Sequence, residues 1–327
     1  MTIQAPPSSR PRIIGVTEPI APAYERVKQI LFKPFDLAKW ITIGFCAWLA
    51  GLGESGGGVG GFNGGNGGSH HYGQGGQLAD QLRRFYREAS DYVMGNLYWI
   101  VPVAVAVLVL GLALWLLILW LSSRGKFMFL HCVALDKAEV VTPWTQYANA
   151  ANSLFRFRIV MGLIALVVIL PLMVFIALSI LGMVLRGGPD VAGVMTVIAL
   201  VLALLGVAVV VVIIRKFMVD FVVPIMYLRG GSCLAAWREF GALLSANAGS
   251  FTLYILFQIV LSWAIGMLVL MAILLTCCIA CCLMALPFLG TVLLLPVLVF
   301  KRAYPLCYLA QYGPQYDVFP TVPTPAP

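Results

Sequence analysis

Five runs of the chain contain no Asp, Glu, Lys, Arg or His: residues 97–121, 159–185, 191–214, 251–276 and 283–300. A hydrocarbon layer of about 30 Å is crossed by roughly 20 helical residues at 1.5 Å each, so each run is read as a transmembrane helix. The last two, joined by an equally uncharged stretch, are read as a hairpin. A sixth apolar run, residues 40–53, has 14 residues and would reach only about 21 Å. Hydropathy alone does not decide it.

The basic residues do. With six spans, alternate sides of the membrane carry 17 and 4 Lys and Arg residues; without the first span the division is 11 against 10. The positive-inside rule therefore favours six spans with both termini in the cytoplasm of a cell whose plasma (inner) membrane holds the protein. Asp36 and Lys39 then fall in the first turns of the first span, with Lys39 snorkelling toward the headgroups. The first 34 residues lack a short apolar core and small-residue cleavage site, so this span is read as a retained anchor.

Between the spans the pattern changes. Residues 1–20 and 312–327 are Pro-rich tails expected to be disordered, leaving a membrane domain over 21–311. Fourteen of the 26 residues from 51 to 76 are Gly, which predicts an outer linker. After it Leu78, Leu82, Phe85, Tyr86, Ala89 and Tyr92 recur at helical spacing opposite Arg83, Arg84, Arg87, Glu88 and Asp91, as in a helix lying on the outer surface.

On the cytoplasmic side the chain repeats itself. Lys126-Phe127-Met128 follows the second span and Lys216-Phe217-Met218 the fourth. Each continues as an apolar helix to a break, at Asp136-Lys137 or Gly230-Gly231. An amphipathic segment follows, led by Trp144 with Tyr147 or by Trp237 with Phe240. Asn152, Ser153 and Phe155, or Asn247, Ser250 and Phe251, then open the next span. A fainter copy has Tyr24, Val27, Ile30, Leu31 and Phe35 leading into Trp40. The predicted fold is all-α: a polytopic bundle of six transmembrane helices in three repeats, each a cytoplasmic interfacial helix followed by two spans.

The segment from Phe221 through Pro224, Tyr227, Arg229, Gly230, Gly231, Trp237 and Phe240, with Asn247 before the next span, resembles the cytoplasmic segment of glycerophosphoryl diester phosphodiesterase membrane-domain proteins and of related uncharacterised bacterial six-helix membrane proteins. The resemblance covers roughly residues 20–310 and implies a fold. It implies no reaction, because the catalytic domain of the phosphodiesterase members is a separate soluble barrel for which this chain leaves no room.

Composition adds that 61% of residues are hydrophobic and 10% charged, with a net charge of +8. The basic residues flank membrane segments on one side, which reads as a topology signal and an attraction to anionic lipid, with no nucleic acid as partner. The spans hold no paired Asp, no Ser with His and no His-Glu-x-x-His helix, so no enzyme and no cofactor is expected. His70 and His71 sit in the Gly-rich linker without a defined third ligand, and His131 is read as interfacial packing. Cys277, Cys278, Cys281 and Cys282 are small residues suited to a tight helical turn; soft-metal capture or oxidation is the sharper alternative.

Asp220 is the carboxylate nearest a span, with Lys216 one turn before it. Pro102, Pro171, Pro224, Pro287 and Pro296 predict kinks. The sequence thus points to a non-catalytic membrane protein that organises lipids or a protein partner at the cytoplasmic face, with Trp144, Tyr147, Trp237, Phe240, Asp220 and Pro224 as its interaction or structural positions. A permease or channel for an uncharged or lipid-like substrate is the alternative. Neither the ligand nor the oligomeric state is legible.

Overall fold

A computed structural model describes residues 14–52, 95–185, 188, 190–275 and 287–319. The Gly-rich linker with His70 and His71, the amphipathic stretch after it and the Cys277–Cys282 cluster lie outside the described residues. All regular structure among the described residues is helical. In order the helices are α1 (Ile20–Phe32), α2 (Leu37–Gly51), α3 (Leu97–Leu135), α4 (Val141–Gln146), α5 (Ala148–Leu185), α6 (Val191–Phe217), a π-helical turn (Met218–Val222), α7 (Val223–Arg229), α8 (Cys233–Ala246), α9 (Ala248–Leu275), α10 (Pro287–Leu293) and α11 (Leu295–Ala310).

Runs of Leu, Val, Ile and Ala with no polar side chain can satisfy their backbone in lipid only as helix. Four helical stretches, Tyr98–Leu135, Ala148–Leu185, Val191–Arg229 and Ala248–Leu275, are long and apolar enough to cross a membrane. Almost no side chain in their most apolar parts is buried. Leu110, Leu166, Leu202 and Leu268 are all exposed, an arrangement that water would penalise at about 25 cal/mol per Å² of apolar surface. Pro102 and Pro171 lie inside continuous helices. The last predicted span is not continuous: α10 ends at Leu293 and α11 begins at Leu295, with Pro296 in its first turn.

The described residues divide into two units, one drawn from 1–61, 120–157 and 215–327 and the other from 62–119 and 158–214. The second is made of stretches of α3, α5 and α6. The first is a packed body whose core is aromatic. Phe221 is fully buried; its ring centroid lies 5.2 Å from Phe240, 5.2 Å from Phe251 and 5.0 Å from Tyr254. Ring pairs of this kind contribute about 0.5–1.5 kcal/mol each beyond the area they bury.

Within this body α2 runs antiparallel to residues 122–136. Lys39 Nζ pairs with Asp136 Oδ1 at 2.8 Å, and at the other end Ser122 Oγ donates to Ala50 O at 3.0 Å. A Cβ on Gly125 would fall 2.5 Å from Ala50 N and 2.6 Å from Leu49 C, so only glycine lets the two backbones approach this closely. Lys39 closes an ion pair with the break after α3, and α2 is paired with the part of α3 that follows the apolar run 97–121. Asp36, expected inside a span, is instead the N-cap of α2, its Oδ1 accepting from Ala38 N at 2.9 Å.

The two ends of the described chain meet. Gly15 N donates to Gln311 Oε1 and Gln311 Nε2 donates to Gly15 O, both at 3.0 Å, while Tyr304 donates to Val16 O at 2.7 Å. The Arg26 guanidinium lies 4.6 Å from the Phe319 ring centroid. Packing thus continues past residues 20 and 312, where composition alone placed the boundaries of disordered tails.

Candidate functional site

The sequence-predicted residues fall in two places of the packed body. At the first break, Asp136 adopts φ 57° and turns the chain from α3 into α4. Trp144 then packs edge-on to Trp120 at 5.8 Å, and Arg124 lies between them, its guanidinium 4.6 Å and 4.7 Å from the two ring centroids. Arg124 also donates to Trp144 O at 3.2 Å. Tyr147 stacks on Phe127 at 6.0 Å and on Tyr227 at 4.7 Å. His131 Nδ1 lies 3.0 Å from the Tyr227 hydroxyl.

At the second break Gly230 adopts φ 64° and its N–H bonds Met226 O at 2.8 Å, the left-handed C-cap that glycine favours. Ser232 then caps α8. Helix α8 buries Cys233, Ala236 and Phe240, one stripe at helical spacing. Phe240 is at the centre of the aromatic core, 5.3 Å from Phe217. The Trp237 ring stacks on Phe157 of α5 at 5.8 Å. Pro224 is buried directly after the π-helical turn, inside the continuous helical stretch Val191–Arg229. Phe127 thus meets Tyr147, and Phe217 meets Phe240.

Asp220 belongs to neither aromatic group. It sits in the π-helical turn, buried, where the ladder is widened by one residue. Its Oδ2 pairs with Lys216 Nζ at 2.9 Å, as the spacing of four predicts, and also accepts from the Tyr254 hydroxyl at 2.8 Å. Gln258 Nε2 donates to the Tyr254 oxygen at 3.0 Å, completing a buried relay. In the same turn Val219 O accepts from Arg302 Nη1 at 2.7 Å. Sequence reasoning missed Tyr254, Gln258 and Arg302, which come from α9 and α11.

This turn forms part of the wall of a cavity of about 160 Å³. Lys126, Lys216, Lys301 and Arg302 line it, together with Asp220. Among the described residues the lining thus carries four cationic side chains and one carboxylate. Lys301 extends an exposed side chain. Partial withdrawal of its ammonium from solvent, and then repulsion from Lys216, holds it below the ordinary lysine range. The rest of the lining is apolar: Ala47, Ala50 and Gly51 of α2, Phe129 of α3 and Leu298 of α11 are part of it. The repeat Lys-Phe-Met places both of its lysines, Lys126 and Lys216, in this one cavity.

Long lipid-compatible helices attached to a helical packed body define an all-α membrane protein. The chain belongs to a family of unknown function, DUF7544, whose model matches residues 15–299. No curated protein and no solved structure matches it. The family match does not extend to the glycerophosphoryl diester phosphodiesterase membrane-domain type.

Proposed function

We propose that the protein is a non-catalytic integral membrane module that organises lipid at the cytoplasmic face of the plasma (inner) membrane. The observation that carries this reading is the contrast between the two kinds of surface. The long helices leave nearly all their large apolar side chains uncovered, so lipid is the solvent they require, while the aromatic body is packed and polar-capped. The excess of Lys and Arg on one set of connections supports a cytoplasmic position for those connections. The reciprocal bonds between Gly15 and Gln311 support both termini lying on that same side.

In the finer reading, six apolar segments cross in three repeated units, each opened by an interfacial helix, as in the phosphodiesterase membrane-domain type. The α7 helix, left-handed Gly230 and α8 give the arrangement of Pro-containing helix, Gly turn and amphipathic helix that the resemblance calls for. Helix α2 has 15 residues and is about 22 Å long. It crosses only where the bilayer is thinned around it.

The test is purification of the full chain in mild detergent followed by native mass spectrometry and proteoliposome flux assays. Retained lipid with no solute flux is the expected result. Passage of small uncharged solutes supports the permease reading instead, and a stoichiometric protein with no lipid makes the module a protein scaffold.

A further inference from the structure

We propose that Cys46 and Cys132 form a reversible disulfide when the protein meets a hydroperoxide, and that the bond locks α2 against α3. The inference goes beyond the lipid-organising reading and does not depend on it.

Its first support is where the two sulfurs lie. Cys46 Sγ and Cys132 Sγ are 3.9 Å apart, and both side chains are fully buried free thiols. The helices that carry them are fastened on either side of the pair. Lys39 holds Asp136 at one end, and Ser122 bonds Ala50 beside the close approach at Gly125 at the other. Cys132 stands two turns after Gly125, on the same face of α3. The sulfurs are therefore held in register. A disulfide has an S–S distance of about 2.05 Å, so each sulfur needs to move by roughly 1 Å, a shift that side-chain rotation supplies without either helix sliding.

The surroundings favour a neutral product. Among the described residues no third His, Cys, Asp or Glu joins the pair to hold a metal ion. A monovalent soft metal held by two thiolates alone would leave a negative charge in this buried contact, whereas a disulfide carries none and needs no hydrogen-bond partner.

The oxidation balances with a hydroperoxide as its two-electron acceptor. One thiolate attacks the terminal peroxide oxygen and breaks the O–O bond, leaving a sulfenic acid and, with the thiol's proton, an alcohol. The second sulfur then attacks the sulfenic sulfur; the S–S bond forms and water leaves. A thiol reductant reverses the change by exchange. Buried thiols are inert until they are uncovered. Glu139, whose carbonyl oxygen lies 3.7 Å from the Cys132 sulfur, belongs to the half-exposed loop after α3, and local opening of that loop admits the oxidant.

The ring that the bond closes gives it a consequence. The two residues are 86 positions apart, and the segment between them includes the Gly-rich linker and the apolar run 97–121. Cross-linking so long a loop restricts the unfolded chain strongly. Ala47, Ala50 and Gly51, which follow Cys46 on α2, line the cavity, so the lock also fixes that wall.

The experiment treats the full chain in mild detergent with tert-butyl hydroperoxide, caps the remaining thiols with N-ethylmaleimide on denaturation, digests without reductant and maps the peptides by mass spectrometry. A peptide linking Cys46 to Cys132, lighter by two hydrogens than the two thiol peptides together, is expected to appear and to be lost with dithiothreitol. The melting temperature is expected to rise by roughly 5 °C or more as the bond forms and to fall back on reduction. Cys46→Ala and Cys132→Ala are expected to show no rise, and Cys307→Ala, which removes a half-buried thiol elsewhere, is expected to respond as the parent does.

Recovery of Cys46 and Cys132 as capped thiols after the oxidant, or joined to other cysteines, overturns the proposal, and the parent protein alone decides this if a variant fails to fold. A Cys46–Cys132 bond that leaves the melting temperature unchanged overturns the lock. A rise that persists in Cys46→Ala or Cys132→Ala, or that is lost in Cys307→Ala, assigns the response to other thiols and also overturns it.

Discussion

The Tyr254 hydroxyl donates to Asp220 Oδ2 at 2.8 Å, on the same oxygen that Lys216 reaches at 2.9 Å. A buried carboxylate is tolerated only when it is paired and hydrogen-bonded, and here the two partners come from one turn away and from another helix. The pair therefore fastens α9 to the π-helical turn at the wall of the cationic cavity. Tyr254→Phe keeps the ring but removes the donor to Asp220 and the acceptor of Gln258. It is expected to cost about 1–3 kcal/mol, read as a lower melting temperature in detergent. A variant as stable as the parent would show that Lys216 alone satisfies the carboxylate.

Trp237 is expected to matter as a ring. It lies between Phe157 and Phe240, and its indole N–H finds no hydrogen-bond partner among the described residues. Trp237→Ala should cost about 3 kcal/mol and raise proteolysis between Arg229 and Phe251. Trp237→Phe, which keeps the stacking and drops the unused donor, should keep most of the stability. If Trp237→Ala melts with the parent but loses a co-purifying lipid or protein, α8 is a binding surface and not a joint.

Gly125 tests the pairing of α2 with α3. A methyl group there meets backbone atoms of Leu49 and Ala50, which cannot swing aside. Gly125→Ala is expected to destabilise by roughly 1–3 kcal/mol through overpacking. Gly111, in the same helix, has nothing within 4 Å of its would-be Cβ. Gly111→Ala should be neutral or gain up to about 1 kcal/mol in helix propensity. Equal melting temperatures for the two variants would mean that α2 is not held against residues 122–136.

Much of this architecture is legible in the sequence, and the exceptions share a cause. Uncharged runs announce the long helices because lipid leaves the backbone no other choice. The pair Lys216–Asp220 is legible because four residues make one helical turn. The tripeptide Lys-Phe-Met recurs at 126–128 and 216–218, and both of its lysines line one cavity. What is not legible is any meeting across long separations. Tyr254 lies 34 residues from Asp220 and Arg302 lies 83 residues from Val219, and neither has a local pattern that names its partner. The apolarity of α2 shows that it is covered, not by what; its register on α3 depends on Gly125, one glycine among 32.

The charge asymmetry of the sequence predicts sidedness. Single Cys residues at Ser69 and at exposed Asn149 should be labelled by a membrane-impermeant reagent from opposite sides of the membrane, Ser69 from outside. Labelling of both from one side would show that the first apolar segment does not cross.

The central claim is that lipid covers the apolar faces of the long helices. Spin labels on single Cys residues at Leu110, Leu166, Leu202 and Leu268, in protein reconstituted into phospholipid bilayers, test it through collision with oxygen and with a water-soluble nickel complex. The account predicts high oxygen and low nickel accessibility at all four, and the reverse at Asn149. Labels at the four leucines that are immobilised and shielded from both reagents would mean that protein covers these faces, and labels accessible to nickel would mean that they line a water-filled path. Either result would contradict the claim.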